Sequence, residues 1–91
     1  MSGVLLGIDI GTYESKGVLA TEAGEVIASA AIGHALSIPT PGWVEHDAER
    51  VWWGDFVALS RRLLEESRVE PRAIRAVGVS AIGPCVLPID R

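Results

Sequence analysis

Four residues within one short stretch carry the chemical content of this sequence: Asp9, Gly11, Thr12 and Lys16, in the order Asp-x-Gly-Thr-x-x-x-Lys. A carboxylate at the end of an apolar run is costly to bury alone, so Asp9 calls for a cation, a metal or several hydrogen-bond donors beside it. Gly11 carries no side chain to keep a ligand away from the backbone amides. Those amides, the Thr12 hydroxyl and the Lys16 ammonium together make a cradle for phosphate oxygens. Asp9, pointing at the same place, suits a hydrated Mg²⁺ that bridges such oxygens. Plainer readings stand beside these: Gly-Thr as a simple turn, Asp9 satisfied by neighbouring amides, Lys16 merely solvated. The placement of the whole set between two strands favours the cradle. It is neither a P-loop, because Gly-x-x-x-x-Gly-Lys-Ser/Thr is absent, nor a dinucleotide fingerprint, because no Gly-x-Gly-x-x-Gly opens a helix.

The elements that must position this turn follow from the apolar pattern. Val4–Ile10 is a short run of β-branched and leucine residues and reads as a buried strand. Ser15–Thr21 reads as a second strand, antiparallel to the first. Glu22-Ala23-Gly24-Glu25 is a polar tetrapeptide with a turn glycine, which makes Val26–Ala35 the third strand of a meander. Leu36 to Asp47 holds Pro39, Pro41 and Gly42 and reads as a loop. Trp43 within it serves as a hydrophobic anchor or as a contact to substrate, and His46 has no partner in the sequence.

Asp47 is placed to cap the next helix. From Ala48 to about Ser67, Trp52, Phe56, Leu59 and Leu63 recur at helical spacing, with Trp53, Val57 and Leu64 beside them. Glu49, Arg50, Asp55, Arg61, Arg62, Glu65 and Glu66 are expected on the opposite, solvated face. Pro71 can start one short turn. Ile74–Ser80 then forms a fourth strand, parallel to its neighbour after the helical crossover. Val86–Ile89 is a fifth strand, which Pro88 marks as an edge.

The chain of 91 residues carries 8 basic and 12 acidic side chains, a net charge of −4, which argues against nucleic acid or an anionic membrane as partner. At 48% hydrophobic residues it can bury one small core. Cys85 is the single cysteine, so no internal disulfide forms, in keeping with a reducing cytosol. No signal peptide is read at the amino terminus, and no run reaches the roughly 20 apolar residues of a membrane span. A soluble, cytoplasmic protein is expected.

Gly7-Ile8-Asp9-Ile10-Gly11-Thr12-Tyr13-Glu14-Ser15-Lys16-Gly17 resembles the first phosphate-binding motif of the actin, sugar-kinase and heat-shock-70 ATPase superfamily. The segment Pro39–Trp53, with Pro41-Gly42-Trp43-Val44-Glu45-His46-Asp47 at its centre, looks like the amino-terminal signature of the FGGY carbohydrate kinases, xylulokinase-like in pattern. The resemblance covers essentially the whole chain. It implies an α/β, ribonuclease H-like (actin-like ATPase) fold: a three-stranded antiparallel meander, one long helix, then one or two further strands, as part of a domain. Residues 1–91 are then the amino-terminal part of the first kinase domain, with the second domain absent.

The resemblance also implies ATP and Mg²⁺ as cofactors and a sugar or polyol as substrate. It places Gly11, Thr12, Tyr13 and Lys16 on the phosphates, Asp9 on the metal, and Trp43, Ile82, Gly83 and Pro84 toward the acceptor. The catalytic base lies beyond residue 91, so the chain is expected to need the carboxyl-terminal remainder of the enzyme and to be inactive alone. A homodimer stays open. Two departures bear on substrate and phosphate. Xylulokinases carry Gly-Gln-Met-His-Gly where this chain has Ala81-Ile82-Gly83-Pro84-Cys85, and the Arg-Glu pair of glycerol kinases is missing too. Tyr13 stands where Ser or Thr is common, and Lys16 where some members have an arginine with its bidentate fork. A non-catalytic nucleotide- or metabolite-binding protein built on an actin-like half-domain is the alternative.

Overall fold

The computed structural model describes residues 3–35, 41–42, 46–81 and 89–90. Four strands form one sheet in the order β3-β2-β1-β4. They are β1 (Val4–Ile10), β2 (Glu14–Thr21), β3 (Val26–Gly33) and β4 (Ile74–Ala81). β1 pairs antiparallel with β2 and parallel with β4, and β2 pairs antiparallel with β3. The expected meander and the parallel return are therefore both present. The second strand starts one residue earlier than expected and the third ends two residues sooner. The expected fifth strand, Val86–Ile89, falls mostly outside the described residues.

Period-two alternation sorts the sheet into two faces. Val4, Leu6, Ile8 and Ile10 of β1 and Leu19 of β2 are buried on one face, where they meet Leu59 and Leu63 of helix α1 (Gly54–Ser67). Leu59 and Leu63 are fully buried. The helix can lie this close because β2 has a glycine beneath it. A Cβ on Gly17 would come within 2.9 Å of Leu63 Cδ1 and 3.1 Å of Ile8 Cδ1. Gly17→Val is therefore expected to lift α1 from the sheet at a cost of about 1–3 kcal/mol, checked by urea unfolding.

The helix expected from Ala48 to Ser67 is two pieces. Ala48–Trp53 is a π-helical turn, and α1 follows it. Asp47 caps this entry as expected, its Oδ1 accepting from the Arg50 amide at 2.8 Å. At the junction the Gly54 N–H donates to the Glu49 carbonyl, and a side chain there would crowd that same oxygen at 3.2 Å. Trp52 packs against the core while Trp53 is 62% exposed and stacks on Phe56. α1 ends at Arg68, in the left-handed region at φ 61°, with its N–H donating to the Leu64 carbonyl. A single 3₁₀ turn, Pro71–Ala73, then leads into β4.

α1 lies over β3, β2 and β1, and β4 extends past it. Val77 and Val79 share the helix-side parity of Leu6 and Ile8, their partners, yet are 50% and 60% exposed. No helix among the described residues is long and apolar enough to cross a membrane.

Candidate phosphate-binding site

The parity that buries Ile8 and Ile10 turns Asp9 to the face opposite α1. Asp9 pairs with Lys16 on β2 and with Ser80 on β4. Ser80 Oγ donates to Asp9 Oδ1 at 2.7 Å. Small residues leave room on this face: a groove of about 810 Å³ runs over Gly7, Ser29, Ala31 and Gly78, with Asp9, Lys16 and Ser80 toward its turn end. That end coincides with the carboxyl ends of the parallel strands β1 and β4, where ligands of α/β sheets characteristically bind.

The turn between β1 and β2 lies at the same end. Gly11 N–H donates to the Glu14 carbonyl at 2.9 Å. A Cβ on Gly11 would stand 2.8 Å from that carbonyl oxygen, so glycine is required here by close approach and not by a positive φ. Thr12 and Tyr13 form the tip, both exposed, Tyr13 at 66%. Lys16 Nζ lies 3.5 Å from Glu14 Oε1, and both side chains are exposed. Such a pair contributes about 0–1 kcal/mol, so Lys16 can exchange it for a phosphate at little cost.

Asp9 is an exposed carboxylate, and no group of three or more His, Cys, Asp or Glu side chains among the described residues could hold a metal ion. A single exposed carboxylate suits a cation that keeps most of its waters. Mg²⁺ behaves this way, whereas Zn²⁺ in a structural site does not.

Behind the turn lies a cluster that sequence reasoning missed. Asp55, expected on the solvated face of the helix, is buried, and its Oδ2 accepts from Ser15 Oγ at 2.7 Å. The same oxygen lies 2.8 Å from His34 Nδ1, and His34 Nε2 lies 2.9 Å from the Gly11 carbonyl oxygen. The correction has two causes, one in the helix and one across the sheet. Asp55 lies four and eight residues before Leu59 and Leu63, in the row that faces the sheet, and buried donors on β2 and after β3 satisfy it there. That row was the signal: a carboxylate in an apolar stripe. His46 stacks edge-on to His34 and lies beside Trp52, with ring centroids 5.5 and 5.7 Å apart.

Asp9, Lys16 and the Gly11–Tyr13 turn are thus brought to one end of the sheet. Trp43, Ile82, Gly83 and Pro84, expected toward the acceptor, lie outside the described residues.

Residues 4–91 match the N-terminal domain of the FGGY family of carbohydrate kinases. The chain belongs to that family. Among curated FGGY relatives, it is similar to glycerol kinase from Geobacillus kaustophilus (strain HTA426), 35% identical over 80 residues, covering 88% of this chain and 16% of the relative. Among solved structures it is similar to a xylulose kinase from Brucella ovis, with TM-score 0.77, 31% identity, and coverage of 86% of this chain and 16% of that one. It also resembles xylulose kinase from Rhodospirillum rubrum, with TM-score 0.74, 29% identity, and coverage of 89% and 16%. The sheet and helix are thus those of the actin-like sugar-kinase fold. The chain spans about one sixth of the length of these relatives.

Proposed function

We propose that this chain supplies the phosphate-binding part of an ATP-dependent carbohydrate kinase, which transfers the γ-phosphoryl group of ATP to a sugar or polyol hydroxyl. The observation that carries the reading is the Asp9–Ser80 hydrogen bond at the carboxyl ends of two adjacent parallel strands, beside the Gly11–Glu14 turn. Phosphoryl transfer depends on positioning and charge neutralisation more than on covalent help from the protein, and this end of the sheet offers both. The amides of Thr12 and Tyr13 and the Thr12 hydroxyl would receive phosphate oxygens, the Gly11 amide being taken by the Glu14 carbonyl. Lys16 would leave Glu14 to add positive charge. Ser80 fixes the Asp9 carboxylate so that it presents one orientation to the cation. Asp9 would hold Mg²⁺, which would supply positive charge against the phosphates. The base that deprotonates the acceptor hydroxyl belongs to the remainder of the intact enzyme, so these 91 residues alone are expected to be inactive.

The test is ATP consumption by the intact protein against a panel of pentuloses, polyols and aldonates. Turnover on one acceptor class is the expected result. Mg-ATP binding with no turnover on any acceptor would replace the kinase reading with that of a non-catalytic nucleotide binder.

A further inference from the structure

We propose that His34 is a positioning residue that holds the Gly11–Glu14 turn in its phosphate-receiving shape, through a buried relay from Asp55. This rests on the reading of that turn as the phosphate site. Beyond the Gly11–Glu14 hydrogen bond, the turn has little support of its own. Two-residue hairpin turns that match strand twist need a positive φ at one or both central residues, and neither Thr12 nor Tyr13 has one. Its support comes from outside. His34, the residue after β3, donates its backbone N–H to the Tyr13 carbonyl at 2.8 Å. Its ring reaches back across the turn to the Gly11 carbonyl at 2.9 Å. One residue therefore grips the turn on both sides of Thr12.

The ring is itself fixed. Its side chain is 6% exposed, and Nδ1 meets the Asp55 carboxylate at 2.8 Å. Both ring nitrogens thus lie within hydrogen-bond distance of oxygen atoms, the Asp55 carboxylate on one side and the Gly11 carbonyl on the other. Asp55 is in turn held by Ser15 Oγ and anchored in the first turn of α1. The relay Asp55–His34–Gly11 ties the site to the most buried part of the core. A polar side chain that both directs and orients a neighbour in this way fixes geometry at a cost that a simple apolar filler would avoid, and the turn is what gains.

The experiment uses the intact protein and two readouts. His34→Phe keeps a ring beside His46 but removes both side-chain hydrogen bonds. Ser15→Ala removes one hydrogen bond from the same buried carboxylate and leaves the ring-to-turn link in place. Amide hydrogen exchange at Gly11 is expected to rise about tenfold or more in His34→Phe, and to stay near wild type in Ser15→Ala. The kcat/KM for ATP is expected to fall about 10–100-fold in His34→Phe, with the KM for the acceptor unchanged. If His34→Phe does not fold, His34→Gln replaces it: one amide can serve Gly11 or Asp55 but not both, and the same direction of change is expected in both readouts. Unaltered Gly11 exchange overturns the proposal. So does a fall in thermal stability matching that of Ser15→Ala with ATP kinetics unmoved. The exchange readout needs no turnover, so a wild-type protein that phosphorylates no acceptor sinks the kinase reading while the tether is still decided.

Discussion

Asp9→Asn in the intact enzyme is expected to lower kcat by about 10²–10³-fold, the scale on which removing one preorganised electrostatic group acts. The substitution is chosen for what it keeps. An asparagine oxygen still accepts from Ser80 Oγ, so the β1–β4 pairing and the fold around it are preserved. What disappears is the negative charge that would hold a cation among phosphate oxygens. The loss should appear in kcat more than in the KM for the acceptor, because the charge matters most where phosphate charge redistributes. Near-normal turnover by Asp9→Asn, with thermal stability intact, would show that the carboxylate serves the sheet and not the chemistry.

The largest effect on stability is expected from Asp55→Ala, about 3–5 kcal/mol, since it leaves both the buried His34 ring and Ser15 Oγ without the oxygen they share. The exposed Arg62–Glu66 pair offers the contrast. It is a carboxylate–guanidinium contact of similar length, 2.9 Å, but both side chains are about half exposed. Glu66→Ala should therefore cost less than about 0.5 kcal/mol. Urea unfolding of the two variants side by side measures the difference. Equal, small losses would mean that Asp55 is not holding a buried hydrogen-bonded cluster.

These two carboxylates show what was legible in the sequence and what was not. Asp9 declared itself through its neighbours, because a short apolar run, Gly-Thr and a lysine lie within a few positions of it. The strands, the Glu22–Glu25 hairpin and the Asp47 cap were legible for the same reason: each is set by residues near in the chain. Gly24 takes a positive φ of 92° there, and Thr21 Oγ1 accepts from the Glu25 amide. Asp55 was misplaced because its partners, Ser15 and His34, lie 40 and 21 residues away. Amphipathic patterning assigns a charged residue to water by its type. It has no access to a donor on another strand. The π-helical turn before α1 was equally invisible, since a Gly54 N–H shared between the Glu49 and Val51 carbonyls leaves no mark in composition. Ser80 was read as part of a strand but not as the partner of Asp9, which only the parallel register reveals.

The hydrogen bond between Ser80 and Asp9 spans 71 positions, and that span sets an order of events at the ribosome. The two hairpins of the meander close from contacts between near neighbours, which form early and cheaply. Asp9 then waits for the loop, the helix and the crossover to be made. At about 5–20 residues per second, the interval between synthesis of Asp9 and of Ser80 is roughly 4–14 s. During it the nascent chain has its first turn but lacks the neighbour that orients the carboxylate. The oriented Asp9 carboxylate is therefore among the last features of this segment to mature, and a chain arrested before β4 would have the meander without it.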